Sequence, residues 1–524
     1  MAKDNKGDMV VIDEALERTG FGKFNILLII YSGVVLNTVI LEAVGVSFAL
    51  PVLECDLNLS HSEQGILGAV SFAGVIASSH FWGFLADTQG RKRTMQPALI
   101  LGFVVTAFSS LAPNFLTFAL LRFLNGLLLS ACSATTFTYL GEFHCQKDRS
   151  RAIIGGSFIS AAVAILIPIM AGIFINQDFE VYVPYIDIVF KPWRSYFLAF
   201  GVPGLICGLI MFFLPESPKY LLSAGKPEEA IEVLKLMHRI NIGSKDPDSV
   251  YTVTTLLPDA DTPMAKVKGL EKKNIFASIM QSMWQQTAPL FMREHLRKTV
   301  LSSLILYIIF FSAHGVYMWF PYILNNTMQY TEKFTEPKRI CDIIKFVQSG
   351  NLTSVDEDNS TETCKMHLEI STYVHSFFLE IIYVSILMII MFFISRTGRK
   401  PMLFINLLIC GVCGILAFTI KIPLLAVYLL VIQLCCGCVI SVVNAIVVVV
   451  FPTHLRGMAV CISLMSGRIG SVMGSNILGL LIETHCEIAL FSPAVALIIA
   501  GALGFLLPSA NHQVAKAKDL ENNS

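Results

Sequence analysis

Charge is scarce in this chain. Charged residues make up 15% of its 524 residues and hydrophobic residues 54%, with a mean hydropathy of +0.66. A soluble domain usually carries about 25% charged residues, so most of this chain does not face water. Net charge is also missing: 38 basic residues balance 38 acidic ones, so the total points to no nucleic-acid or acidic partner. Many of the thirteen cysteines, including Cys132, Cys207, Cys410, Cys413, Cys435, Cys436 and Cys438, sit in apolar runs and read as small packing residues rather than metal ligands, although Cys410/Cys413 and Cys435/Cys438 each have C-x-x-C spacing. No glycine-rich nucleotide loop is present, so neither an enzyme of the soluble type nor a cofactor is expected. The polar stretch up to Phe24 has no short apolar core followed by a cleavage site, so no cleavable secretory leader is expected.

What the chain has is long apolar runs. A spanning helix needs about 20 predominantly apolar residues. Six candidates precede the middle of the chain, at 25–50, 63–86, 96–112, 114–138, 152–175 and 195–214. Six more follow, at 299–324, 371–394, 401–420, 423–450, 457–482 and 487–507. The expected organisation is a tail 1–24, a six-helix bundle 25–214, a polar central loop 215–298, a second bundle 299–507 and a tail 508–524.

Basic residues recur in alternate loops: Arg91, Lys92 and Arg93; Lys147, Arg149 and Arg151; Arg396, Arg399 and Lys400; and Arg456. The loop after helix 1 carries Glu54 and Asp56 instead. Positive loops stay on the cytosolic side, which places both termini and the central loop there. Loop 325–370 then faces outside or a lumen. It holds sequons at Asn325, Asn351 and Asn359, as well as Cys341 and Cys364, a candidate disulfide in an oxidising compartment. Asn325 lies near the membrane edge. In the central loop, Lys226-Pro227-Glu228-Glu229 opens a helical pattern through about Arg239, with Leu234 and Met237 on its apolar side.

The two halves repeat. GFLADTQGRK (Gly83–Lys92) returns as SRTGRK (Ser395–Lys400), Glu142–Arg149 corresponds to Val449–Arg456, and LPESPK (Leu214–Lys219) to LPSANH (Leu507–His512). In the first copy, Gly83 allows close helix approach and Asp87 can accept hydrogen bonds at a helix N-terminus. Gly90 suits a tight turn, and Arg91 and Lys92 anchor the cytosolic face.

Two six-helix halves with G-x-x-x-D-x-x-G-R-K between helices 2 and 3 resemble the major facilitator superfamily. Within it, the chain is similar to the synaptic vesicle glycoprotein 2 group, through DEALERTGFGKFN (Asp13–Asn25), FWGFLAD (Phe81–Asp87), GEF (Gly141–Phe143), PWR (Pro192–Arg194), PESPKYLLSAGKPEEA (Pro215–Ala230) and WFP (Trp319–Pro321). The resemblance implies an all-α fold of twelve helices in two pseudo-symmetric bundles. It also implies a multi-pass protein of the plasma membrane or a vesicle membrane. The group's pattern in helix 1 is D-x-x-E; here Val39 stands at the aspartate position and Glu42 at the glutamate.

Four ionisable residues lie deep in apolar helices: Glu42, Arg122, Glu380 and Arg468. Each costs about 2.5–3.5 kcal/mol at a helix centre on insertion scales, so such groups pair or face a cavity. One acid and one base fall at similar height in each half, which suggests the pairs Glu42–Arg122 and Glu380–Arg468. Either pair locks its bundle, or Glu42 serves as a protonation or cation site. Tyr317, Trp319 and Asn444 are candidate cavity residues, and Tyr and Trp near an interface also serve as belt residues. His314 and His375 are candidates too, although lone histidines are more often packed or capped.

The cytosolic gate reads as asymmetric. Asp87, Glu142 and Glu216 of the first half face Ser395, Val449 and Ser509 at the matching positions of the second, while Arg399 and Arg456 remain. Arg91, Arg149 and Arg151 must then find partners in their own half, and the gate should rest more often open inward. The expected function is secondary transport of a small organic solute (an organic ion or a sugar-like molecule) by alternating access, with protons as a candidate coupling ion. The alternative is a non-transporting vesicle receptor or scaffold on the same fold. The expected partners are the lipid bilayer and the solute, and a monomer is expected.

Overall fold

The computed structural model describes residues 8–185, 187–242, 251–257, 284, 287–349, 368–451 and 455–508. The side chains of residues 8, 134, 395, 456, 457 and 483 are outside that set. Eleven helices among the described residues are long and apolar enough to cross a membrane. The remaining membrane helix, helix 3 (Arg91–Ser110), carries Arg91, Lys92, Arg93 and Gln96 in its first two turns, which lowers its hydropathy. The first six are helix 1 (Lys23–Leu57), helix 2 (His61–Gln89), helix 3, helix 4 (Phe115–Glu142), helix 5 (Gln146–Ile175) and helix 6 (Pro192–Ile210). The second six are helix 7 (Arg293–Lys333), helix 8 (Ile370–Thr397), helix 9 (Arg399–Thr419), helix 10 (Pro423–Val450), helix 11 (Arg456–Thr484) and helix 12 (Cys486–Phe505).

Local chemistry sets several ends. Ser60 caps helix 2 in a reciprocal box: its Oγ accepts from the Glu63 N–H at 3.3 Å, and its backbone N–H donates to Glu63 Oε2 at 2.8 Å. The Asn114 side chain caps helix 4 by accepting from the Thr117 N–H at 2.9 Å. Gly90 joins helices 2 and 3 with φ +106°, and a Cβ there would lie 2.3 Å from Glu216 Oε2. Only glycine fits both that backbone and that space. Within the halves, bare backbones meet: a Cβ on Gly126 of helix 4 would sit 2.1 Å from Ser71 O of helix 2. In the second half, Gly470 of helix 11 is pressed equally close to Tyr307 O of helix 7. Small residues at such crossings allow the close packing that holds membrane helices together.

Helix 7 is longer than expected at both ends. It starts at Arg293, inside the stretch assigned to the central loop, and continues to Lys333, inside the stretch assigned to the outer loop. Its last turns pack against the amphipathic helix Ile340–Gln348, whose Ile343 and Ile344 are buried. A hairpin pairing Val181–Val183 with Ile188–Phe190 fills the connection between helices 5 and 6.

On the face with the basic loops, the N-terminal segment forms a clasp. Strand Asp8–Val11 pairs in parallel with Val253–Leu257 of the central loop, and helix Ile12–Arg18 follows it. Helix Pro227–Asn241 starts at the proline, as its sequence signals, and buries Leu234 and Met237. Its last residue ties the parts together. Asn241 Oδ1 accepts from the Phe24 N–H at 2.9 Å, and its Nδ2 donates to Gly20 O and Asn25 Oδ1 at 2.8 Å each. Asp13 accepts from the Gln146 N–H that opens helix 5 at 3.1 Å and from Lys219 at 3.3 Å. The N-terminal segment is thereby bound to the first bundle.

Candidate functional site

Glu42 and Arg122 meet inside the first bundle. Arg122 Nη1 donates to Glu42 Oε2 at 2.8 Å, with the two side chains 0% and 3% exposed. Arg122 Nη2 also donates to the Glu42 backbone carbonyl. The second carboxylate oxygen accepts from Thr106 Oγ1 of helix 3 at 2.8 Å, and that hydroxyl accepts from Asn125 Nδ2 at 2.8 Å. The guanidinium lies 5.5 Å from the ring centres of both Phe197 and Phe200 of helix 6. Every partner comes from helices 1, 3, 4 and 6 of one half. Thr106 and Asn125 were not among the residues read as functional, because a threonine and an asparagine in apolar helices carry no distinguishing pattern.

The second pair does not form, which corrects the expectation of one pair per half. Glu380 accepts from Tyr317 Oη at 3.0 Å, and no salt bridge joins it to a base among the described residues. Arg468 turns away from its own half. Nη1 donates to Ser79 Oγ of helix 2 at 2.8 Å and Nη2 to Ser133 Oγ of helix 4. Similar depth in the membrane did not bring Glu380 and Arg468 together, because they leave their helices in different directions. His80 and Cys461 lie within reach of the Arg468 charge. Cys461, two turns below Arg468 on helix 11, is exposed and also lies in the field of Asp87. These neighbours escaped the sequence reading, since serine, histidine and cysteine become informative only once Arg468 is seen to cross between halves.

The other candidates scatter. His314 bonds Ser471 Oγ at 2.8 Å and stacks on Phe72 across the half boundary at 5.2 Å. Trp319 is buried, donates to Ser475 O at 3.0 Å and stacks on His61 of helix 2. His375 meets Tyr428 Oη at 3.0 Å. Asn444 leaves its Oδ1 buried without a hydrogen-bond partner in the structure.

The contacts between halves are graded along the membrane. At the outer end, His61 packs on Trp319 and Tyr322, Gly65 O accepts from Ser475 Oγ at 3.2 Å, and Tyr373 donates to Asn176 at 3.0 Å. Phe72–His314 lies deeper and Arg468 with the two serines deeper again. Among the described residues, no hydrogen bond or ion pair joins the halves between Arg468 and the face with the basic loops.

The gate residues pair at home. Arg91 bonds Asp87 at 3.1 Å and Glu142 at 2.9 Å. Arg149 reaches Asp13 at 3.9 Å and Arg151 reaches Asp148 at 3.5 Å. Arg399 donates to Ala445 O at 3.1 Å in its own half. The Arg456 side chain is outside the described residues. Two assigned roles are corrected. The helix 3 N-terminus is held by Glu216, not Asp87: Glu216 Oε1 accepts from Arg91 N at 3.0 Å and Lys92 N at 3.1 Å. Asp87 is drawn off by Arg91, one turn along. Gly83 makes no close approach, since a Cβ there would have nothing within 4 Å. Lys92 does anchor the face, capping the end of helix 6 through Phe212 O at 3.0 Å and Leu214 O at 2.7 Å. Its repeat partner Lys400 caps helix 12 through Leu507 O.

Two outer-loop assignments are also corrected. Cys341 pairs with Cys486 at the start of helix 12, not with Cys364, with Cα atoms 5.7 Å apart. The fold of helix Ile340–Gln348 against helix 7 brings Cys341 there. Cys55 is also disulfide-bonded. Asn325 is 1% exposed inside helix 7, where its Oδ1 accepts from the Glu369 N–H at 2.9 Å, so it cannot carry a glycan. Asn351, Asn359 and Cys364 lie outside the described residues.

Residues 29–344 and 367–522 match the Major Facilitator Superfamily. The chain belongs to this superfamily. Among curated relatives, it is 27% identical over 327 residues to human synaptic vesicle glycoprotein 2B, covering 58% of this chain and 46% of that protein. It is 26% identical over 328 residues to rat synaptic vesicle glycoprotein 2C, covering 59% and 44%. The chain thus spans about half the length of the curated relatives it matches. Among solved structures, its fold is similar to the xylose transporter XylE from E. coli in a partially occluded inward-open conformation. That match has a TM-score of 0.63 at 14% identity and covers 93% and 99% of the two chains. A bacterial homologue of the lysosomal transporter Spinster matches with a TM-score of 0.60 at 13% identity, covering 93% and 98%. These matches carry the two-bundle facilitator fold and a multi-pass membrane protein, and at such identity the structures speak for fold alone.

Proposed function

We propose that this facilitator is a secondary transporter that moves a small organic solute by alternating access and rests open toward the cytosol. One observation carries the reading. Among the described residues, the halves are joined from the outer end down to Arg468, while Asp87, Arg91, Glu142, Arg149, Arg151 and Arg399 beyond it bond within their own halves. A bistable pair of bundles with one end sealed is what alternating access requires. The relatives named for synaptic vesicles support a vesicle membrane as its site, with both termini cytosolic.

Any proton-coupling role is placed at Glu380 rather than Glu42. Glu42 is neutralised by Arg122 and sealed behind Phe197 and Phe200, as a static lock would be. Among the described residues, Glu380 has the Tyr317 hydroxyl as its hydrogen-bond partner and no base. In proteoliposomes loaded against a panel of carboxylates, organic cations and sugars, uptake of at least one class is expected. Glu380→Gln should flatten its pH dependence and Glu42→Gln should leave that dependence in place. No uptake of any class would turn the reading to the receptor or scaffold that the same fold permits.

A further inference from the structure

We infer that the solute bound between the halves is an organic anion whose carboxylate is held by Arg468, Ser79 and Ser133, an inference that rests on the transport reading for its place in the cycle. The comparison with Arg122 carries it. Both arginines sit well inside a membrane helix, two turns into helix 4 for Arg122 and near the middle of helix 11 for Arg468, where a bare guanidinium is costly. Arg122 is neutralised by a carboxylate and shielded by two phenylalanines. Arg468 makes no salt bridge among the described residues; its partners are two neutral hydroxyls. Glu380, the acid available in its half, is engaged by Tyr317 instead. Arg468 as a residue is partly buried rather than sealed, and its guanidinium reaches across the boundary between halves to Ser79 and Ser133, where a solute would enter from the cytosolic side.

The geometry suits an anion for a second reason. A serine hydroxyl accepts from Arg468 when the site is empty and can rotate to donate to a carboxylate when it is filled. The planar guanidinium offers parallel N–H donors to the same group. One carboxylate would then be gripped by helix 11 of the second half and helices 2 and 4 of the first. It would replace direct Arg468–serine bonds with bonds through the ligand, so the solute itself would link the halves as the cytosolic side closes. Cys461, exposed two turns below on the same face of helix 11, would lie on the entry route.

The test uses the purified full chain at fixed ionic strength, with benzoate, 2-naphthoate and succinate as anionic probes, tetraethylammonium and glucose as controls, and chloride as an inorganic anion. At least one carboxylate is expected to raise the melting temperature and to slow maleimide labelling of Cys461, read on its own peptide by mass spectrometry. Losing a charged hydrogen-bonding partner weakens binding roughly 10–100-fold, so Arg468→Gln should remove both effects. Arg468→Lys should keep part of the affinity, and the Ser79→Ala/Ser133→Ala double variant should weaken it about tenfold. Cys461 protection in the unmodified protein keeps the test valid if Arg468→Gln misfolds. The inference is overturned if no carboxylate acts, if chloride acts as well as the carboxylates, if only tetraethylammonium or glucose acts, or if Arg468→Gln still binds benzoate. Because binding is read without transport, its failure is separable from silence of the liposome panel.

Discussion

The two halves of this molecule repeat one sequence pattern and handle charge in opposite ways. The first bundle closes on itself: Glu42 with Arg122 inside, Arg91 with Asp87 and Glu142 at the gate, Glu216 on the helix 3 amides. At its gate the second has cations, Arg399 and Arg456, but Ser395, Val449 and Ser509 where the first has acids. Arg399 settles on a backbone carbonyl, and Arg468 leaves its bundle to find hydroxyls in the other. Even the turn glycines differ in surroundings: Gly90 is jammed against Glu216, while Gly398 at φ +84° has only Pro401 at 3.9 Å. A half whose charges are satisfied internally is a rigid body. A half with an unneutralised cation at its surface depends on whatever the interface supplies.

The sharpest way to break this contrast is to delete each arginine. Arg122→Ala strands a buried carboxylate and should cost about 3–5 kcal/mol, most of it recovered when Glu42→Gln is combined with Arg122→Met. Arg468→Met should cost under about 1 kcal/mol, since no buried partner charge is left behind. Melting in detergent compares them, and equal damage from the two would end the distinction.

The second half has a covalent reinforcement of its own. Cys341 and Cys486 close a loop with a sequence separation of 145 residues, and Cys341→Ser should lower stability by about 2–4 kcal/mol. The first half has the disulfide of Cys55 and, on its other face, the Asn241 clamp. Asn241→Ala leaves the Phe24 amide and two buried acceptors short, which should cost about 2 kcal/mol. Amide exchange should then rise over residues 8–20 and stay unchanged along helix 11.

The smallest effect restores what the second half lost. Ser395→Asp with Val449→Glu would return acids to its gate. Exposed ion pairs contribute at most about 1 kcal/mol, so the shift toward a closed cytosolic side should slow Cys461 labelling by up to about fivefold. Faster labelling would show that the missing acids do not set the resting state.

Much of the fold was legible because a bilayer imposes a length and a composition on each helix. The repeat, the basic loops and the Pro227 helix start were readable for similar local reasons. The Glu42–Arg122 pair was readable because two costly charges at similar depth in one bundle have few alternatives. The same reasoning failed for Glu380 and Arg468, where depth agreed and direction did not. The cysteine pairing failed because a disulfide reports the path of the chain, and helix Ile340–Gln348 folds back toward helix 12. The clasp was invisible: strand Asp8–Val11 is short, and its partner lies in another part of the chain.

By itself, the sequence determined the membrane class, the twelve-helix frame, the repeat and the inventory of buried charge, since each follows from local composition set against the cost of placing polar groups in lipid. Tertiary structure alone decided which of those charges are spent inside a bundle and which remain at the interface. A side chain's partner depends on the direction in which its helix face points. That direction is set by how the helices pack, through contacts such as Gly126 on Ser71 and Gly470 on Tyr307.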